Sequence, residues 1–175
     1  NLMLINLLLG LLCVFWAACA VHKLADINSF THNLKQYQWV PPIHANVLVV
    51  GLILVEAICA TLLLLPTFQL IGLFLAGALL LAYSGLIALN IYSGNQDFDC
   101  GCLFGSQEQR LSVSLLWRNA GILLLHVIAA IGVQFAAPSA SDVLISILFG
   151  AVTLLIGVIA QQLFRNQSHI NAVRR

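Results

Sequence analysis

Apolar residues run along this chain in long, continuous stretches rather than in the alternation of a half-buried strand. Five such stretches stand out: Leu2 to Val21, Ile43 to Leu65, Phe68 to Ile91, Ser112 to Val133, and Val143 to Phe164. Each is close to the ~20 residues that a helix rising about 1.5 Å per residue needs to cross a hydrocarbon core about 30 Å thick. Lipid offers the backbone no hydrogen bonds, so only helices and closed barrels cross it, and these runs are too long for barrel strands. The pattern predicts an all-α integral membrane protein: four core transmembrane helices and a fifth C-terminal one, in a single membrane domain spanning residues 1–175. The first stretch reads as a span rather than a cleaved leader, because no basic segment precedes it and its apolar run exceeds the usual length.

The connections differ in kind. Pro66 and Thr67 form a tight hairpin, and a short polar turn marked by Pro138 and Ser139 separates the last two spans. After the first span, Leu24, Ile27, Phe30, Leu34 and Tyr37 recur every three or four residues, with Asp26, Asn33, Lys35 and Gln36 between them. That spacing predicts an amphipathic helix over about 25–38, lying on the bilayer surface or capping the bundle and ended by Pro41-Pro42. The remaining connection is a polar loop over 92–111.

Composition agrees with this reading. Charged residues make up 7% of the chain and hydrophobic ones 61%, where a soluble domain carries about 25% charge. With five crossings, Lys23, Lys35, Arg110, Arg118, Arg165, Arg174 and Arg175 all fall at or just inside one face. The positive-inside rule assigns that face to the cytoplasm and the N-terminus to the outside. A net charge of +1 with no dense basic patch argues against nucleic-acid binding.

The candidate chemistry lies in the 92–111 loop, in Asp97-Phe98-Asp99-Cys100-Gly101-Cys102-Leu103-Phe104-Gly105. Two thiols separated by one glycine can cycle as a dithiol and disulfide, hold a metal, or pair with a partner's cysteines. Glycine at the centre permits the bend that an i, i+2 bridge requires, and so small a ring is readily reduced. As a metal site the motif is incomplete, with only His22, His32 and His44 as further candidates. An inert structural pair is the remaining reading. Cys13, Cys19 and Cys59 read as buried small hydrophobes, with Cys19 also a candidate relay because it lies one turn from His22 and Lys23.

Ionisable groups within the spans are the second signal, since each is costly in lipid and is kept for function or pairing. Glu56 lies thirteen residues into the second span, ~20 Å from the charged face. His126 lies at similar depth in the fourth, and Arg118 and Asn119 share its helical side. These positions predict a polar seam between the second and fourth spans, lined by Asn90 and Tyr83 of the third. It would serve as a packing network or in a proton- or quinone-related role.

Ala17-Ala18-Cys19-Ala20-Val21-His22-Lys23-Leu24, then Phe30, Tyr37, Pro41, Glu56, Asn90, Cys100-Gly101-Cys102-Leu103-Phe104-Gly105 and Arg118-Asn119 together resemble the MauE branch of the DoxX-like membrane proteins, over about residues 10–130. The resemblance implies a DoxX-type bundle in a bacterial inner membrane. It also implies work beside a thioredoxin-like partner in maturing a disulfide-rich client enzyme of the methylamine dehydrogenase type. Cys100 and Cys102 would then be the redox thiol pair, with Lys23, Glu56, Arg118 and Asn119 as supporting positions. Disulfide formation in that system is periplasmic, whereas the charge count puts this loop in the cytoplasm.

Two functional classes follow. One is a thiol-disulfide exchange component, with quinone as a candidate cofactor. The other is a non-catalytic anchor or assembly subunit of a membrane redox complex. A small transporter using Glu56 and His126 is a third reading, with no residue pattern that identifies a substrate.

Overall fold

The computed structural model describes residues 2–37, 40–94, 112–135, 142, 144–153 and 155–156. They form α1 (Leu2–Ala25), α2 (Ile27–Leu34), a 3-10 turn (Pro42–His44), α3 (Ala45–Leu64), α4 (Gln69–Tyr92), α5 (Val113–Val133) and a shorter apolar helix, α6 (Leu144–Thr153). The first, third, fourth and fifth of these helices are long and apolar enough to cross a membrane. The chain is an all-α, multi-pass membrane protein. The part of the expected fifth span beyond 156 lies outside the described residues.

Local sequence sets the helix ends. Asp26 leaves helical geometry and its carboxylate accepts from the Ser29 amide at 3.0 Å, which closes α1 and caps α2. The amphipathic segment is therefore eight residues long rather than the fourteen of 25–38: a capping aspartate cannot also occupy the helix interior, which moves the start to Ile27, and a turn at Lys35 and Gln36 ends it at Leu34. Leu65 is extended, as a residue before proline must be, so α3 stops ahead of Pro66. Gly94 takes φ +73° just past the end of α4, the left-handed conformation that glycine adopts without a Cβ penalty.

The four long helices form a ring in which α1 packs on α3, α3 on α4, α4 on α5, and α5 back on α1. One apolar cluster, including Leu12, Trp16, Cys59, Leu63, Leu73 and Leu80, fills the end of the ring near the start of α1. At the other end α2 lies against α3 and α1, and Phe30, Leu34 and Tyr37 join Val49, Ile87 and Leu115 in a second cluster. Thus α2 caps the bundle. Large apolar side chains such as Val47, Leu54, Phe74, Leu81 and Leu124 point outward, while Lys23, Glu56, Asn90, Asn119 and His126 are buried. This inversion of the soluble pattern is what a lipid solvent requires.

α6 crosses α1 at small residues. A Cβ on Gly150 would fall 2.6 Å from the Gly10 carbonyl oxygen, and one on Gly10 would strike the Ser146 backbone. Small residues allow such backbone approach between membrane helices.

Candidate functional site

Between the two apolar clusters, three helices converge on Glu56. Its side chain is fully buried in the middle of α3. The ammonium of Lys23, in the last turn of α1, donates to Oε1 at 2.7 Å. Tyr83 of α4 donates its hydroxyl to the same oxygen at 2.8 Å. Lys23 Nζ also lies 5.1 Å from the ring centre of Phe30 and 5.5 Å from that of Tyr83, so aromatic faces supply part of the stabilisation that water would give. Oε2, equally buried, accepts no hydrogen bond among the described residues. Breaking a buried pair by removing one partner costs about 3–5 kcal/mol, because a charge is left without compensation.

Among the described residues, α3 and α5 stand diagonally in the ring, and the other polar positions are seen bonding within their own helix or to a neighbouring one rather than across a seam between α3 and α5. Asn119 of α5 donates to the Ser84 hydroxyl at 3.1 Å, and Ser84 donates to the Leu80 carbonyl. Asn90 donates to the Leu86 carbonyl of its own helix at 2.8 Å. Arg118 is half-buried, and its Nε meets no acceptor among the described residues. His126 faces α1, where the Trp16 indole N–H donates to Nε2 at 3.0 Å. An accepting Nε2 places the ring proton on Nδ1, which lies 2.8 Å from the Ile122 carbonyl. Both nitrogens are thus engaged in a neutral imidazole, a geometry suited to fastening α1 to α5.

Cys13, Cys19 and Cys59 are buried thiols that form no disulfide with one another. Cys13 donates to the Ala60 carbonyl at 3.4 Å, joining α1 to α3. Cys100 and Cys102 lie outside the described residues. The helix ends that flank their segment, Tyr92 of α4 and Val113 of α5, belong to the end of the ring that carries α2. Among the described residues, no group of three or more His, Cys, Asp or Glu side chains could hold a metal ion.

The structure also reveals participants that the sequence left unmarked. Trp16 reads in the chain as one more apolar residue of a span. Gln69, at the start of α4, is fully buried with neither amide atom bonded among the described residues. The cation count is altered too. Lys23 is held by Glu56 and Arg118 lies within the bundle, so neither reports sidedness, which rests on Lys35, Arg110 and the C-terminal arginines.

The family model described as "Methylamine utilisation protein MauE" matches residues 1–135. The chain belongs to the MauE family. It is 28% identical over 157 residues to the methylamine utilization protein MauE of Paracoccus denitrificans, covering 90% of this chain and 81% of that protein. The MauE protein of Paracoccus versutus is 27% identical over 146 residues, covering 83% and 78% of the two chains. That of Methylorubrum extorquens is 30% identical over 129 residues, covering 74% and 67%. No solved structure matches the chain.

Proposed function

We propose that this MauE-family chain serves methylamine utilisation as a thiol-disulfide component of a bacterial inner membrane, supporting maturation of a client enzyme of the methylamine dehydrogenase type with a thioredoxin-like partner. The observation that carries the reading is Cys100-Gly101-Cys102 within a chain of this family, in the connection between α4 and α5. The buried Lys23–Glu56–Tyr83 cluster fastens α1, α3 and α4 together, and α4 is the helix that leads into that connection.

In the exchange, one thiolate of the pair attacks a partner disulfide, a mixed disulfide forms, and the partner's second sulfur leaves as thiolate. The other cysteine then attacks the mixed disulfide, so the partner departs as a dithiol and Cys100 and Cys102 are joined. Two electrons have passed to the partner, and the reverse sequence oxidises it. Glycine between the cysteines lets the small ring close, and its strain keeps the bridge labile.

The test is complementation of a host lacking this protein with Cys100→Ser and Cys102→Ser, read by growth on methylamine and methylamine dehydrogenase activity. Both variants are expected to fail, and one should accumulate a dithiothreitol-sensitive adduct with a thioredoxin-like protein. Normal maturation from both would sink the exchange mechanism and leave an anchoring subunit.

A further inference from the structure

Beneath α2 the ring leaves a cavity of about 150 Å³ between α1, α3 and α4. Its walls are mostly apolar and aromatic, among them Phe30, Leu52 and Leu86, with Lys23, Tyr37 and Tyr83 as the residues that bring polar atoms. Its rim includes Leu48, 40% exposed, and Ala82, also exposed on the apolar outer surface of the ring. The cavity therefore opens sideways toward the bilayer and ends on an ammonium group.

We propose that this cavity binds the ring of a lipid-soluble quinone, with one carbonyl oxygen accepting a hydrogen bond from Lys23 and the tail leaving past Leu48 and Ala82 into the membrane. The core ring fits, since a cavity of about 150 Å³ accommodates one benzene-sized ring, and the ring substituents and tail extend through the open side. The polarity fits as well. An ammonium has three protons to donate, and Glu56 is the one hydrogen-bond acceptor of Lys23 among the described residues. The Tyr83 proton is committed to Glu56, so of the two residues that meet at Glu56 it is Lys23 that has protons to offer a ligand.

Charge narrows the ligand class further. Glu56 neutralises Lys23 at 2.7 Å, so the cavity floor offers hydrogen-bond donation without net positive charge. That favours a neutral carbonyl over a phosphate or carboxylate headgroup. A plain hydrocarbon would fill the walls but leave the donor unmatched. A ring with carbonyl oxygens and an apolar tail satisfies all three features, as small-molecule sites usually do with few polar groups in an apolar lining. The inference goes beyond thiol exchange, because quinone binding here requires nothing of Cys100 or Cys102.

The experiment uses the full chain purified in detergent and immobilised, with tritiated decylubiquinone as probe. Binding is expected to saturate, to be displaced by unlabelled decylubiquinone, and to resist decylbenzene and dioleoylphosphatidic acid at the same concentration. Ala82→Phe, which sets a large side chain at the cavity mouth away from the ion pair, should weaken binding at least tenfold while the protein still melts cooperatively. The paired change Lys23→Met with Glu56→Gln removes the donor without leaving a lone buried charge, and should weaken binding to a similar degree. Unchanged binding in folded Ala82→Phe protein overturns the site. Equal displacement by decylbenzene overturns the role of the carbonyl, and displacement by phosphatidic acid alone shows an anionic lipid site instead.

Discussion

Lys23 and Glu56 stand 33 positions apart in the chain yet meet at 2.7 Å in the interior of the ring, on helices that touch mostly through apolar side chains. Each is the other's counter-charge. Lys23→Met and Glu56→Gln, made singly, each leave one partner buried and unmatched, with an expected loss of about 3–5 kcal/mol. Made together they should cost distinctly less than the sum. Thermal melting of the purified single and double variants measures that coupling, and additive losses would contradict a direct pair.

Trp16 and His126 form a neutral counterpart on the α1–α5 side. Trp16→Phe keeps an aromatic ring but strands Nε2 of His126, so stability should fall by about 1–3 kcal/mol. Replacing both residues by phenylalanine removes donor and acceptor together and should recover part of that loss. Because both imidazole nitrogens are already bonded, growth on methylamine is expected to survive any variant that still folds. Loss of growth in a stable double variant would instead assign His126 a role in chemistry.

Most of the architecture was legible in the chain because lipid imposes one rule on every span: a long apolar run must be a helix. The Asp26 break was legible in principle, since aspartate before Ile27-Asn28-Ser29 is a capping sequence, but the apolar stripe running through it reads as one longer helix. The ionisable residues stood out as costly, and Lys23 and Tyr83 were marked as well, but nothing marked them as pairing with Glu56. Glu56 and His126 share a depth, which suggests a common seam. Only the order of helices around the ring turns one toward Lys23 and the other toward Trp16, and that order is a property of packing. Trp16 carried no signal, because an aromatic in an apolar span looks the same whether its N–H is bonded or idle.

The crossing of α1 and α6 makes a sharper steric prediction. Gly10→Val and Gly150→Val both place a branched side chain where backbone already sits, and no rotamer can relieve a clash at Cβ. Each is expected to detach α6 and lower the melting temperature. Gly85→Ala and Gly121→Ala meet nothing within 4 Å and should be neutral or stabilise by up to about 1 kcal/mol, because alanine favours a helix over glycine. A similar loss from all four would mean that the effect is one of general helix perturbation rather than of the crossing.

Thiol accessibility is expected to distinguish the buried Cys13, Cys19 and Cys59 from Cys100 and Cys102. The chain has five cysteines, of which Cys13, Cys19 and Cys59 are 6%, 7% and 0% exposed. A maleimide must reach the sulfur, and burial among apolar side chains denies it access. Intact mass measurement of the native reduced protein after brief N-ethylmaleimide treatment should therefore show adducts on Cys100 and Cys102 only, rising to five after denaturation. Omitting the reductant tests the pair itself: if the two loop thiols are joined, native labelling drops to zero and returns with dithiothreitol. Native labelling of Cys13 or Cys59 would contradict the packing of α1 against α3.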